Sequence, residues 1–318
     1  MASLKEIKDR IASVSGTLKI TSAMKMVASA KLHKAQQAIG NMLPYEKRLH
    51  GMLVDLIGSM NITASPSDGL VAEGSAAMPD DRKENSEAGY SLMASREVRK
   101  VAIVAFASNS SLCGAFNSNV IREASVVVDE YLAAGLRASD IVVYSVGRKM
   151  ADAMKKRGFE SPADYTKMSD SPTYEAASVL AQELLAGFVS GRFDKVELVF
   201  NHYKSTSSQP TCRQTYLPLS LDDAAADPES GTSVAPDVIY EPSPEALVQV
   251  LLPKVVRLRI FTTLLDSAAA EHAARTVAMQ LATDNGNDLL QELTLEYNKG
   301  RQQKITTEIL DIIGGSMG

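Results

Sequence analysis

The chain has 318 residues, 45% of them hydrophobic, which is enough to bury at least one core and predicts one or two domains. Its net charge of −5 argues against a general nucleic-acid-binding protein, and no apolar run approaches the roughly 18 residues of a membrane-spanning helix. The two cysteines, Cys113 and Cys212, form no CxxC pair and favour neither a disulfide framework nor a zinc site, as is typical of a reducing compartment.

Residues 1–60 predict a single long helix with an apolar stripe. From Leu4, alternate steps of three and four residues lead to Met60, and 14 of the 17 positions reached are apolar, where the overall composition would give about eight. A helix of this length is a rod of roughly 80 Å, several times the length that a compact domain needs. Such a stripe requires a partner helix.

The same helix is basic. Residues 1–57 carry nine Lys and Arg against four acidic residues, a net charge of +5, in a chain that is acidic overall. A basic rod favours an acidic partner surface, and the alternative is that these lysines form only the solvated face of a coiled coil. Lys25 falls within the apolar stripe itself, which an outside partner explains more easily than the coiled coil does.

Two segments have the composition of surface loops. Residues 61–97 are small, polar and acidic, which predicts a flexible insertion. Residues 221–242 form a second acidic loop, because six acidic residues and no basic one lie between positions 221 and 241. The two loops divide the chain into an N-terminal helix (1–60), a central domain (98–220) and a C-terminal helix (243–318).

The central domain alternates strand and helix patterns. Buried-strand runs and amphipathic helices follow one another, and glycines end two of the helices. The predicted strands are 98–107, 140–146, 195–202 and an edge strand at 211–219, and the predicted helices are 116–134, 148–157 and 172–189. This order predicts an α/β domain of Rossmann-like architecture, with a mostly parallel sheet and helices on both faces.

Residues 243–318 predict a second long helix. The stretch from Ser243 to Ile313 is roughly 105 Å long, and Pro253 is its only interior proline. The economical partner for the N-terminal helix is this one, in a long antiparallel coiled coil closed by the central domain. Because the second helix is longer, about 15 of its residues, on the order of 20 Å, should protrude beyond the start of the first.

The central domain offers little equipment for catalysis. Neither GxGxxG nor GxxxxGK[ST] is present, and the loop Ser108–Asn117, which lies where such folds bind ligands, has one glycine and no lysine. Cys113 in this loop fits a buried structural thiol better than a reactive one. The four histidines show no metal-ligand spacing, and His202 with Cys212 is a weak candidate pair. We therefore expect no catalytic residue, no cofactor and no metal.

Three separated segments form a recognisable set. The first runs from Lys5 to Leu32 and contains Lys19-Ile20-Thr21-Ser22-Ala23-Met24-Lys25-Met26-Val27-Ala28. The second is Leu112-Cys113-Gly114 followed by Asn117. The third and strongest reads Ala270-Glu271-His272-Ala273-Ala274-Arg275, Ala282-Thr283-Asp284-Asn285, Leu295-Glu296-Tyr297-Asn298-Lys299, Arg301-Gln302 and Ile305-Thr306. In this order, over nearly the whole chain, they resemble the gamma subunit of the F-type ATP synthases.

The resemblance implies a rotor. In that family the coiled coil stands inside a ring of three alpha and three beta subunits, and its foot binds the epsilon subunit and the membrane-embedded c-ring. The ATP chemistry belongs to the alpha and beta subunits, so a gamma chain is a non-catalytic part of a proton-translocating complex. The resemblance thus implies a peripheral protein, with no helix inserted in the membrane. The lack of a transit segment favours the cytoplasmic face of a bacterial inner membrane.

The resemblance also implies which side chains contact the alpha–beta ring. Met24 and Lys25 match the family segment that runs beside an acidic loop of the beta subunit. Arg301 and Gln302 match a pair that hydrogen-bonds a beta-subunit catch loop, and Thr306 lies one turn further on. The alternative is that all of these are ordinary exposed polar residues of a helix.

Arg275 matches a position that is important for coupling in the family, and the resemblance implies that it too contacts the alpha–beta ring, although it could be an ordinary helix residue. The chain also departs from the family pattern. Ser110-Ser111 stand where Arg-Gly usually precedes Leu-Cys-Gly, and Gly16 and Gly300 place helix-weakening residues in the two long helices.

Two other functions stay open on the sequence alone. One is a non-motor protein in which an antiparallel coiled coil displays a ligand-binding α/β domain. The other is an enzyme that uses the loop Ser108–Asn117. Neither explains why the segment from Tyr297 to Thr306 resembles the gamma subunit.

Overall fold

The computed structural model describes residues 3–59, 92, 96–219 and 240–316. Most of the predicted insertion and of the predicted acidic loop lies outside the described residues. In chain order the helices and strands are α1 (Leu4–Ser59), β1 (Val101–Phe106), α2 (Phe116–Ala133), β2 (Ile141–Val146), α3 (Arg148–Lys156), α4 (Thr166–Asp170), α5 (Tyr174–Val189), β3 (Lys195–Asn201), β4 (Thr211–Leu217) and α6 (Pro244–Ser316).

The two long helices pair with each other in antiparallel fashion. Leu4, at the start of α1, lies against Gly300 near the end of α6. Further along, Thr283 Oγ1 donates a hydrogen bond to Thr21 Oγ1 at 3.0 Å. Residue numbers therefore increase along α1 as those of their partners decrease along α6, which confirms the predicted antiparallel coiled coil.

Two glycines of α6 face leucines of α1. A Cβ atom at Gly286 would lie 2.6 Å from Leu18 Cδ2, and one at Gly300 would lie 3.0 Å from Leu4 Cδ2. A glycine inside a helix costs about 1 kcal/mol relative to alanine. At these two positions the absent side chain allows the helices to approach closely, whereas nothing lies within 4 Å of the Cβ position of Gly16.

The end of α6 extends past the start of α1. Gly300 is level with Leu4, so α6 continues for 16 residues, from Arg301 to Ser316, beyond the start of α1. We call residues 301–316 the C-terminal tip. Its length agrees with the predicted protrusion, and its large apolar side chains are exposed, namely Ile305, Ile309, Leu310, Ile312 and Ile313.

The sheet has four strands in the order β2-β1-β3-β4. β1 pairs in parallel with β2 on one side and with β3 on the other, and β4 is an antiparallel edge strand on β3. The predicted fold class, an α/β domain with a mostly parallel sheet carried by a long coiled coil, is confirmed.

Each face of the sheet packs against different helices, because side chains alternate along a strand. Val104 and Phe106 of β1 share a core with residues of α1, α5 and α6. Val101 and Ile103 face the other way and pack with α2 and α3. One wall of the domain's core is therefore the coiled coil of α1 and α6, which we call the shaft. Apolar burial joins the domain to this shaft.

The strand and helix boundaries differ slightly from those predicted. The first strand begins at Val101 rather than at position 98, and the short helix α4 was not predicted. α5 begins at Tyr174 because Thr173 caps it, with its hydroxyl accepting a hydrogen bond from the backbone N–H of Ala176. β3 ends at Asn201, one residue early, because His202 turns toward α6.

Candidate functional site

The C-terminal tip carries three of the predicted contact residues. Arg301, Gln302 and Thr306 are all exposed, and Thr306 Oγ1 donates a hydrogen bond to the carbonyl oxygen of Gln302 at 2.9 Å. Within the described part of the chain, no side chain is bonded to the Arg301 guanidinium or the Gln302 amide. These two groups can therefore bind a partner without breaking an internal contact.

Met24 and Lys25 lie on a stretch of α1 whose outer surface is apolar. Both side chains are partly buried against α6, while Ile20, Met26 and Val27 beside them are 62%, 65% and 58% exposed. Large apolar side chains exposed so close together mark an interaction surface. Among the described residues no carboxylate forms an ion pair with Lys25, so its charge is available to an acidic partner.

Arg275, by contrast, is mostly buried, and its side chain bonds to other residues of the same chain. Its side chain is 11% exposed, and its Nη1 atom forms an ion pair with Glu271 Oε1 at 2.7 Å. Its Nη2 atom donates a hydrogen bond to Ser110 Oγ, also at 2.7 Å. Arg275 therefore ties the loop after β1 to the shaft, and its contact with another subunit stays a prediction.

His272 lies beside this ion pair and is neutral at pH 7. Its Nδ1 atom is buried without a hydrogen-bond partner in the described structure. Burial, together with the positive charges of Arg275 and Lys31, lowers the pKa of His272 to about 4. Burial also raises the pKa of Glu271, against the effect of Arg275.

The neutral state of His272 predicts that acid weakens the coiled coil. The unfolded chain gains a proton here below the ordinary pKa of 6.5, whereas the folded chain gains it only near pH 4, so stability falls between these values. The shift corresponds to on the order of 3 kcal/mol at the acid end. In urea unfolding of the full chain, His272→Gln should lose less stability than the wild type between about pH 7.5 and about pH 5.

The matched control for this measurement is His33→Gln, since His33 is an exposed histidine of α1. This variant should lose as much stability on acidification as the wild type. Equal losses in the His272→Gln chain and the wild type would show that His272 does not cause the acid sensitivity.

The loop between β1 and α2 is packed rather than open. The backbone N–H of the fully buried Ser108 donates to Asn117 Oδ1 at 3.0 Å, and Asn109 Nδ2 donates to the carbonyl oxygen of Thr166 at 2.7 Å. Cys113 is 1% exposed, so its prediction as a buried thiol is confirmed. These contacts occupy groups that would bind a ligand at this edge of the sheet, which weighs against the enzyme hypothesis.

His202 pairs with Asp266 of α6 rather than with Cys212. The His202 Nδ1 and Asp266 Oδ2 atoms are 2.6 Å apart, and Asp266 Oδ1 accepts a hydrogen bond from the backbone N–H of Tyr203 at 2.9 Å. Sequence reasoning missed this cluster. A signal was present, because Asp266 is a single charge within an otherwise uncharged stretch of α6.

A cavity of about 430 Å³ opens beside this pair, between α1, α6 and strands β3 and β4. Its walls include the apolar Leu43 and Phe200 and the charged Glu46 and Arg259. Burial raises the pKa of Glu46, and the positive charge of Arg259 opposes that change. Charges of both signs on its walls favour no single class of ligand.

No helix within the described residues combines the length and the apolar character needed to cross a membrane. The same part of the chain holds no group of three or more His, Cys, Asp and Glu side chains placed to bind a metal ion.

Comparison with known proteins gives matches over the full length of the chain. The sequence model of the family described as ATP synthase matches residues 3–317. The chain is 51% identical over 317 residues to the ATP synthase gamma chain of Phocaeicola vulgatus, with 100% of both chains covered. It is 48% identical to that of Bacteroides thetaiotaomicron, again with 100% of both covered. For that of Flavobacterium johnsoniae the identity is 40%, covering 99% of this chain and 98% of the relative.

Solved structures extend the similarity to the fold. A chain from the cryo-EM structure of the Euglena gracilis mitochondrial ATP synthase OSCP/F1/c-ring in rotational state 3 matches with a TM-score of 0.57 and 19% identity, covering 99% of this chain and 93% of that chain. A chain from the rotor of the same synthase in rotational state 1 matches with a TM-score of 0.56 and 18% identity, covering 95% and 98%.

Proposed function

Because the chain belongs to the ATP synthase gamma-chain family, we propose that it is the central-stalk rotor subunit of an F-type ATP synthase. By rotating, it couples ion flow through the membrane c-ring to ATP synthesis or hydrolysis at the alpha and beta subunits. The whole complex is the enzyme, and this chain contributes no catalytic residue to it.

The observation that carries this proposal is the C-terminal tip at the end of the coiled coil. Five large apolar side chains of the tip are exposed, because α1 begins level with Gly300 and does not reach them. An apolar helical end of this kind needs a protein surface around it. The bore of an alpha–beta ring provides such a surface. Along the paired part of the shaft, two helices transmit torque with less twisting than one helix would.

A second contact with the ring lies on α1. The exposed Ile20, Met26 and Val27, with Met24 and Lys25 beside them, form an apolar surface that carries a positive charge. An acidic loop of a beta subunit is complementary to it in charge. We assign Arg301, Gln302 and Thr306 to a separate hydrogen-bonding contact with the same ring, and Arg275 to coupling through the loop that it holds.

The end of the shaft opposite the C-terminal tip carries the α/β domain, and together they form what we call the foot. The α/β domain and the adjoining ends of α1 and α6 are placed to bind the epsilon subunit and the c-ring. We therefore place the chain in a peripheral complex on the cytoplasmic face of a bacterial inner membrane. The bacterial source of the similar gamma chains supports this location.

The direct test is assembly with the alpha and beta subunits of the same organism. Native mass spectrometry of the co-expressed subunits should give a complex of three alpha, three beta and one copy of this chain. Its ATPase activity should collapse when this chain is omitted. Alpha and beta subunits that assemble and hydrolyse ATP at full rate without incorporating it would disprove the proposal.

The contact at the tip predicts a sharper result. In the assembled complex, Arg301→Ala with Gln302→Ala should lower ATP hydrolysis by about tenfold or more, because a hydrogen bond to a charged group contributes about 1.5–3 kcal/mol and 1.4 kcal/mol is a factor of ten in rate. The matched control is Lys299→Ala with Gln303→Ala, which also removes one cation and one amide from exposed positions of α6. The control complex should hydrolyse ATP at the wild-type rate. Equal effects of the two pairs would show that the tip makes no specific contact at Arg301 and Gln302.

A further inference from the structure

Tyr203 lies where the α/β domain meets both helices of the shaft. It is the second residue after β3, in the segment that leads to β4. Its partly buried ring packs against one apolar cluster formed by residues of both long helices, namely Leu32, Ala35, Ile39, Ala269 and Ala273. The same ring packs against a second cluster that contains Cys113, Phe116 and Ala270. One side chain therefore packs against clusters that are built from α1, α6 and the start of α2.

Polar contacts hold Tyr203 at this junction. Gln36 Nε2 on α1 donates a hydrogen bond to the Tyr203 hydroxyl at 2.5 Å. The Asp266 carboxylate on α6 accepts the Tyr203 backbone N–H at 2.9 Å and contacts His202 Nδ1 at 2.6 Å. The end of β3 is thus bonded to both helices at one level of the shaft.

These bonds add something that the apolar core cannot. Hydrophobic burial is non-directional, so the burial itself favours contact between the domain and the shaft without selecting one rotational setting. Hydrogen bonds weaken steeply when their geometry is lost. Contacts from α1 and α6 to Tyr203 and its neighbour therefore oppose rotation of the domain about the shaft.

We propose that Tyr203, with its partners Gln36 and Asp266, is a positioning cluster that fixes the rotational setting of the α/β domain on the coiled coil. The proposal rests on the rotor function. When the foot is turned, this cluster transmits the turn to both helices together. Without it, part of each turn is lost as slippage between foot and shaft.

The test uses the assembled synthase in membrane vesicles with Tyr203→Phe and Asp266→Asn combined. Both changes keep the shape of the side chain, and they remove the hydroxyl that bonds Gln36 and the charge that holds His202. The readouts are ATP hydrolysis, ATP-driven proton pumping and the thermal midpoint of the complex. We expect hydrolysis and thermal midpoint close to wild type, with loss of most of the protons pumped per ATP hydrolysed.

The matched control is Tyr174→Phe with Asp152→Asn, which makes the same two chemical changes at exposed positions of α5 and α3. The control should pump like the wild type. Wild-type pumping by the Tyr203 and Asp266 double variant would overturn the proposal. So would a parallel fall in its hydrolysis, pumping and thermal midpoint, because that pattern indicates only loss of folding.

The result with the wild-type chain distinguishes a failure of this proposal from a failure of the rotor function on which it rests. If the wild-type chain is not incorporated, or if its vesicles hydrolyse ATP without pumping, then the rotor function fails and the positioning cluster fails with it. If the wild type pumps and the double variant pumps equally well, only the positioning cluster is rejected.

Discussion

Gly147→Ala should leave almost no folded protein. Gly147 follows the last residue of β2 with a φ of +95°, in the left-handed region that favours glycine. A Cβ atom there would lie 2.1 Å from the backbone carbonyl oxygen of Ala107, next to the end of the neighbouring β1. Because the colliding atom is backbone at the junction of two buried strands, neither side can move away. We expect a loss of more than about 4 kcal/mol, which is comparable with the whole stability of many domains.

Soluble yield and urea unfolding of the full chain measure this effect. The control is Gly16→Ala, since Gly16 is helical and its Cβ position is open. That substitution should raise the free energy of unfolding by up to about 1 kcal/mol. A Gly147→Ala chain that unfolds at the wild-type urea concentration would show that the two strand ends are not as close as described.

The second large effect is expected at Glu197, a carboxylate buried in β3. Its side chain is 2% exposed, and it contacts Arg213 Nε at 2.7 Å, Lys195 Nζ at 2.6 Å and the Tyr131 hydroxyl at 2.7 Å. Glu197→Ala leaves two cations and a hydroxyl facing an empty site. Breaking a buried ion pair costs about 3–5 kcal/mol, and we expect about 2–4 kcal/mol here because both cations are partly exposed to water.

Thermal unfolding of Glu197→Ala and Glu197→Gln measures the loss, with Glu160→Gln as the control. Glu160 forms an ion pair with Lys155 at 2.9 Å, but both side chains are more than two-thirds exposed, so its replacement should be nearly neutral. An unfolding midpoint for Glu197→Ala as high as that of the control would mean that the buried network adds nothing to stability.

The effect at Glu197 should depend on pH. Burial raises the pKa of Glu197, but hydrogen bonds from Arg213, Lys195 and Tyr131 outweigh it and hold the pKa below its ordinary value of 4.5. The stabilising contribution is therefore present above pH 4.5 and is lost as the pH falls through the lowered pKa. The difference between the wild type and Glu197→Gln should shrink only in that acid range.

The local elements of this fold could be predicted because their signals are local. The apolar stripe from Leu4 to Met60 is regular enough to indicate both a helix and the need for a partner. The strand that becomes β1 is a buried run followed by a polar loop, and Gly135 and Gly158 end the helices that precede them, both with positive φ. Each signal lies within a few residues of the element that it predicts.

Contacts between distant parts of the chain could not be predicted in the same way. Arg275 was expected to contact another subunit, yet its partner Ser110 lies 165 residues away along the chain. Tyr203 is ordinary within its own segment, and the single charge of Asp266 signals a contact without identifying its partner. Periodicity shows which face of a helix is buried, but it does not show which residue lies opposite.

The close approach of α1 and α6 at their two glycines has a consequence for length. Gly286 and Gly300 are 14 residues apart, as are Leu18 and Leu4, so this alignment places a glycine opposite each leucine. A slide of seven residues would bring Leu18 opposite Met279 or Leu293, which are large, buried side chains instead of a glycine. These two contacts therefore oppose small slides of one helix along the other, and lengthening α1 by seven residues before Leu4 would cover about 10 Å of what now projects. Two missing side chains thus help to set how far α6 projects beyond α1.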